Sequence, residues 1–312
     1  MVDSKHQWKA WLYLSPAIVL LLIFTVWPII NTVRIAFMEG YNALGVLTGQ
    51  QFNIGIGNFV NVLKYGDFLT CLKNTMLLTV LTVPLSTILA LLIAVALNSI
   101  KPLQKFLQTI FFLPYVTNSI AIGMVFAAMF NIIGLSPDGA RAESWGIINN
   151  VIMFFGGEPV NWINAQSSYE ANIAVMTIYI IWNALPFKIL ILLGGLQSIN
   201  KQYYDAARVD GTPRWRVLTK ITVPLLSPML AYVIITGFIG GFKEYSSIVG
   251  IFGEKMGPVG DAGSLNTMVG YIYEVLPDMN YGDASAAALI LFGIILVVTM
   301  INLQVSKKRV HF

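Results

Sequence analysis

The chain has 312 residues, 56% of them hydrophobic and only 11% charged, with a formal net charge of +4. An ordinary soluble domain carries about 25% charged residues, so the composition excludes a disordered chain, a coiled coil and a cytosolic enzyme and points to a protein solvated largely by lipid. Cys71 is the single cysteine, and the two histidines, His6 and His311, stand at opposite ends, which excludes an internal disulfide framework and a cysteine- or histidine-rich metal site.

Six stretches are apolar over the ~20 residues that a membrane-crossing helix needs. They fall at 11–37, 74–98, 107–133, 171–193, 223–242 (with a continuation to 252 in reach) and 284–305. Helices are expected, because a bilayer interior offers no partner to open backbone groups. The first stretch is too long for the apolar part of a signal peptide and no small-x-small cleavage site follows it, so it is expected as a retained helix. Between the spans, 38–73, 134–170 and 253–283 read as outer segments, with an amphipathic surface stretch at 145–155. The segment 194–222 is the longest inner connection that follows a span. Trp8, Trp11 and Trp162 read as interfacial anchors, and Pro114, Pro186 and Pro224 as kinks.

The charges are distributed unevenly. With both termini inside, the inner segments hold 12 basic residues (Lys5, Lys9, Lys101, Lys105, Lys201, Arg208, Arg214, Arg216, Lys220, Lys307, Lys308 and Arg309) against three acids, Asp3, Asp205 and Asp210. The outer segments hold five basic residues (Lys64, Lys73, Arg141, Lys243 and Lys255) against 12 acids. Excess positive charge marks the cytoplasmic side, so an even number of crossings with both ends in the cytoplasm is expected. Arg34 and Lys188 lie within spans, and Lys188 is expected to snorkel toward the cytoplasmic face.

No phosphate-binding G-x-x-x-x-G-K-[ST], H-E-x-x-H, G-x-S-x-G or dinucleotide fingerprint occurs, so the chain reads as no enzyme and as no nucleotide binder by those routes. The short basic tail reads as a stop-transfer anchor and not as a nucleic-acid patch. Ion-driven carriers need carboxylates or broken helices at membrane depth, and Glu244 is the one plausible carboxylate. Beside it, Lys243 suggests an ion pair, mutual or between subunits. An ion-coupled carrier therefore stands as the weaker alternative.

The inner connection carries the strongest signal. Residues 201–210 are amphipathic and helix-compatible. Gly211 suits a left-handed helix end and Pro213 a stop, with Thr212 as the cap of a following helix and Pro213 its first residue. A short helix, a sharp break and a second helix running into the fifth span are expected. Ala206 and Ala207 leave a shallow surface for close approach, while Asp205 and Arg208 offer charges to a partner.

Asp205-Ala206-Ala207, then Gly211, Ile221 and Val223-Pro224 at their spacing, resemble the EAA loop of binding-protein-dependent ABC importer permeases, with Asp205 in place of the usual Glu and Val223 in place of the usual Leu. The resemblance extends through Leu14–Ala17, Phe24–Pro28, Phe111–Pro114, Trp145–Asn149, Tyr271–Tyr273 and Tyr281–Ala286. The chain is similar to the first permease of maltose-type carbohydrate importers, in their shorter six-helix form.

This resemblance implies an all-α membrane protein of six transmembrane helices with the type I ABC importer permease fold. It implies a single transmembrane domain over 1–312 that contains a cytoplasmic coupling loop at 194–223. The implied partners are a second homologous permease, two cytoplasmic ATPase subunits that hold ATP and Mg while this chain holds no cofactor, an extracellular solute-binding protein, the lipid bilayer and a sugar or oligosaccharide. The implied location is the bacterial cell membrane. Tyr204, Asp205, Ala206, Ala207, Arg208, Asp210 and Gly211 are the implied contacts to the ATPase. The family's sugar-contacting positions fall on Ile180, Asn183, Ala184, Phe187, Gly237 and Gly241, with Tyr179 and Trp182 as neighbours on the same helix, and Glu244, as an intramembrane carboxylate, is a further candidate for the substrate pathway. Gly237 and Gly241 also have the small-x-x-x-small spacing of helix packing. The cavity so drawn is nearly neutral, which favours neutral sugars. A more basic one would favour a non-sugar solute such as a glycerophosphodiester, or an anionic oligosaccharide.

Overall fold

A computed structural model describes residues 7–64, 66–100, 104–133 and 144–309. Asp3, Lys5, His6, Lys101, Arg141, His311 and positions 134–143 of the second outer segment lie outside the described residues. The helices are, in order, α1 (Trp8–Ala36), α2 (Ala43–Leu47), α3 (Gly57–Lys64), α4 (Gly66–Ser99), α5 (Gln104–Val116), α6 (Ser119–Phe130), α7 (Ile147–Phe154), α8 (Tyr169–Ser198), α9 (Lys201–Val209), α10 (Arg214–Leu225), α11 (Ser227–Phe242), α12 (Ser246–Phe252), α13 (Met268–Val275) and α14 (Tyr281–Arg309). A two-residue antiparallel pair, β1 (Ile132–Ile133) with β2 (Ser144–Trp145), precedes α7.

Helices α1, α4, α8 and α14 are each long and apolar enough to cross a bilayer. The third and fifth expected spans are broken: α5 and α6 meet at 98°, and α10 and α11 at 72°. Counting each bent pair as one span gives six. Both breaks have local causes. Pro114 sits in the last turn of α5, and the Asn118 side chain then accepts from the N–H groups of Ile120 and Ala121, starting α6 afresh. In the fifth span Pro224 and Pro228 stand four residues apart around Leu226; a proline donates nothing to the carbonyl four residues back and crowds it. The expected continuation to 252 is interrupted at Lys243–Tyr245, and α12 is a separate helix.

The chain divides into two compact units, residues 1–68 with 271–292 and residues 69–270 with 293–312. In the first, Asn58 is buried and donates to the carbonyls of Ala36 and Met38 while accepting from Gly40 N–H, which ties the end of α1 to α3. Phe37 packs on Phe59 and Phe68 on Tyr271. None of the most apolar window of α1 is buried.

In the second unit α8 is the central strut, and two apolar clusters hold it. Val175, Met176 and Tyr179 pack with Leu78, Phe130 and Ile248. Farther along, Ile189, Leu192 and Leu196 pack with Ala90, Ala94 and Val233. Gly123 of α6 and Gly250 of α12 let those two helices touch backbone to backbone, since a Cβ at Gly123 would lie 2.6 Å from Gly250 Cα. Asn74 of α4 donates to the carbonyls of Ser264 and Asn266 and accepts from the Tyr169 hydroxyl. The stretch of α8 between the clusters faces open space.

Candidate functional site: a cavity beside the fourth span and an inner helical lever

That open space is a cavity of about 270 Å³. Its α8 wall presents Ile180, Asn183, Ala184, Phe187 and Lys188, residues that recur every three or four positions and so share one helix face. The opposite wall is α11, with Thr236, Gly237, Gly240 and Gly241, and Glu244 beyond its end. Of the nine positions expected in the substrate pathway, the structure brings Ile180, Asn183, Ala184, Phe187, Gly237, Gly241 and Glu244 together on this cavity. Tyr179 and Trp182 are elsewhere. Tyr179 is fully buried, donates its hydroxyl to the Ser119 carbonyl and packs edge-on against Phe126; Trp182 lies against the same Phe126 ring.

Gly237 and Gly241 line the cavity and also pack tightly on α4. A Cβ at Gly241 would lie 2.8 Å from Thr79 Cγ2, and one at Gly237 would lie 3.1 Å from Val83 Cγ1. The sequence reading had named no residue of α4 or α5 for the site. Thr82 and Ser86 of α4 and Tyr115 of α5 complete the cavity wall. The signal in α4 was a polar stripe: Thr75, Thr79, Thr82 and Ser86 follow helical spacing, and all four are buried. The hydroxyls of Thr75, Thr79 and Ser86 return a hydrogen bond to a carbonyl of the preceding turn, which makes the stripe tolerable at membrane depth. Tyr115 stacks on Phe187 with centroids 5.7 Å apart, so the cavity offers flat aromatic surface beside hydroxyls and one amide.

Lys188 differs from expectation, and of the mutual or intersubunit ion pair expected of Lys243 and Glu244 the mutual form is absent. Lys188 does not snorkel: it is 4% exposed and donates to Val83 O, Ser86 Oγ and Thr87 Oγ1. The ammonium is shorter of water here than at the membrane face, but three oxygens of α4 replace that water. Lys243 and Glu244 form no mutual ion pair; the one ion pair among the described residues is Arg208–Asp205. Glu244 Oε1 instead accepts from the N–H groups of Tyr245 and Ser247 at the start of α12.

On the inner connection, α9 begins at Asn200, whose side chain accepts from Gln202 N–H. It ends on Gly211 at φ +65°, with Gly211 N–H bonded to Arg208 O and Thr212 N–H to Ala207 O, a closure that a left-handed residue makes possible. Pro213, and not Thr212, then occupies the cap position of α10, and no side chain caps it. Tyr204 points inward to Thr222, 3.3 Å between hydroxyls, and Ala207 is buried against its own chain. Asp205, Ala206, Arg208 and Asp210 are exposed. Tyr203 and Val209 join them on the outer face; the sequence reading had not named these two. Asp205 and Arg208 lie 3.9 Å apart with most of both side chains in solvent, a contact that contributes little and opens readily. Residues of α9 and α10, with Val95 and Asn98 of α4, also line a groove of about 630 Å³.

Long apolar helices, broken third and fifth spans, a cavity with a few polar groups beside the fourth and a capped, exposed helix between the fourth and fifth describe a transport permease. Residues 83–311 match the family of binding-protein-dependent transport system inner membrane components, and the chain belongs to that family. It is a multi-pass membrane protein. Over 308 residues it is 29% identical to the lactose transport system permease protein LacF of Rhizobium radiobacter, covering 96% of this chain and 95% of that one. It is also 29% identical over 310 residues to the arabinooligosaccharides transport system permease protein AraP of Bacillus subtilis, covering 97% and 91% of the two chains. Among solved structures, a chain of the bacterial alginate ABC transporter in complex with alginate pentasaccharide-bound periplasmic protein superposes with a TM-score of 0.78 at 25% identity, over 98% of this chain and 96% of that one. The fold is that of the ABC importer permeases.

Proposed function

We propose that this chain is one membrane-spanning half of an ATP-driven importer for sugars or oligosaccharides. A second homologous permease completes the pathway, two cytoplasmic ATPase subunits drive it, and an extracellular solute-binding protein delivers the substrate. In this reading ATP and Mg reside on the ATPases and this chain holds no cofactor. Both termini lie in the cytoplasm. The sugar assignment is supported by relatives named for lactose, arabinooligosaccharides and trehalose/maltose, and by a cavity that pairs stacked aromatic rings with hydroxyl and amide groups.

The observation that carries the coupling role is α9: nine residues, capped at both ends, with Tyr203, Asp205, Ala206 and Val209 exposed between two spans. A short helix of that kind can seat in a groove of another protein and transmit its movement. Upstream the force enters α8, and downstream it enters the broken span α10–α11. Cys71 is buried, so a cysteine placed at Ala206 is the one reactive thiol. Ala206→Cys is expected to cross-link to the ATPase in membranes containing the assembled importer. Cross-linking to lipid reagents alone, with none to the ATPase, would falsify the coupling assignment.

A further inference from the structure

Lys188 is the charge that neither the fold nor the proposed coupling explains. It lies in the fourth span, 96% of its surface covered, on a cavity whose other lining residues are neutral except Glu244. A methionine of similar length would fill the same slot and avoid the desolvation of an ammonium. A charged side chain at membrane depth is a functional candidate.

The three oxygens around Nζ solvate the charge without cancelling it: Ser86 Oγ at 2.7 Å, Thr87 Oγ1 at 2.9 Å and Val83 O at 3.1 Å. No carboxylate forms an ion pair with it among the described residues. The longest of the three bonds is also the replaceable one, because Val83 O already accepts from the hydroxyls of Ser86 and Thr87. One ammonium proton can therefore turn to an incoming acceptor and leave no buried carbonyl without a donor. On the α11 side Gly237 lies against the ammonium, where a Cβ would come within 3.3 Å of Nζ, and the open part of that wall is at Gly240, where nothing lies within 4 Å of where a Cβ would be. Glu244 lies beyond the end of α11, with its carboxyl group accepting from the backbone N–H groups of Tyr245 and Ser247. The cavity therefore holds an uncancelled cation beside Gly237 and, on the same lining, the Glu244 carboxyl group already engaged by N–H donors.

We propose that Lys188 is a specificity-determining residue that selects a saccharide bearing an anionic group, a carboxylate or a sulfate or phosphate ester, and aligns that group toward Gly237 and away from Glu244. This proposal rests on the sugar-importer reading and narrows it. A lone cation at about 5 Å in a protein interior favours an anion over its neutral isostere by tenfold or more.

The test uses the importer assembled with its partner permease and ATPases in nanodiscs, without the binding protein. Titration calorimetry with digalacturonate, with a galactose phosphate and with neutral galactobiose reads the permease alone. An anionic probe is expected to bind at least about tenfold more tightly than galactobiose. Lys188→Gln, which keeps hydrogen bonding and removes the charge, is expected to abolish that ratio, and Lys188→Arg to retain it. Digalacturonate and galactose phosphate compared with each other distinguish a carboxylate from a phosphate group. Equal or tighter binding of galactobiose by the wild type overturns the proposal and leaves the sugar-importer reading standing. Failure of all three probes, together with failure of the complete system to take up any saccharide, overturns both. If Lys188→Gln does not co-purify with its partners, Lys188→Met, uncharged and of similar length, is read in its place, and an anionic preference that survives it overturns the assignment to Lys188.

Discussion

Gly241 shows how one missing side chain serves two purposes. It lets α11 lie on α4, and it leaves the cavity room that a larger residue would fill. Gly241→Val would place atoms where Thr79 Cγ2 already is, 2.8 Å from the first added carbon. Overpacking of this kind costs about 1–3 kcal/mol, so the melting temperature of the purified complex is expected to fall. Adding Thr79→Ala should return much of the loss; a double variant no more stable than the single one would show that α4 is not the obstacle. Asn183 differs from Gly241 in that it is half-buried and lines the cavity with a polar side chain. Asn183→Leu is expected to leave assembly intact and to raise the substrate concentration for half-maximal uptake about tenfold, the worth of one lost hydrogen bond to a sugar hydroxyl. Normal uptake would remove Asn183 from the pathway.

Among the helices, α9 was legible because its instructions are local: a cap at Asn200, an amphipathic turn or two, and a glycine where φ must be positive. Gly211→Pro removes the N–H that bonds Arg208 O and imposes a φ near −65° where +65° is found. The importer is expected to assemble and hydrolyse ATP while uptake falls to background, measured as the ratio of sugar moved to ATP consumed in proteoliposomes. An unchanged ratio would show that the end of α9 transmits nothing. The broken spans were less legible. Hydropathy reads only the mean polarity of a window, and Thr117–Asn118 and Leu226 hardly change it. The information was in Pro114 followed by a cap-forming Asn118, and in Pro224 with Pro228, which block the same turn twice. Lys188 misled for a related reason. Snorkelling assumes that the nearest oxygens are at the membrane face, whereas the Ser86 and Thr87 hydroxyls on α4 are closer, and their proximity is a tertiary fact. Tyr179 and Trp182 follow the same logic: their register on α8 is adjacent to the cavity, but Phe126 of α6 draws both rings away from it.

For the molecule as a whole, the sidedness of the charge predicts its orientation. Inner segments carry 12 basic residues and outer segments five, and lysine and arginine resist translocation where acids do not. The structure supplies the probes for testing this. Cys71 is 1% exposed, while Val209 at the end of α9 is 88% exposed and Phe154 at the end of α7 is 84% exposed. Both are apolar, outward-facing and outside the core, so exchanging either for cysteine costs little stability. With a membrane-impermeant maleimide applied to intact cells, Phe154→Cys is expected to label fully. Val209→Cys should label only after the membrane is opened, and less when the ATPase is present to cover it. Labelling of Val209→Cys from outside would invert the topology, move α9 away from any cytoplasmic motor and leave the uneven charge without an explanation. Protection of Val209→Cys that is the same with and without the ATPase would keep the topology but deny the lever its contact.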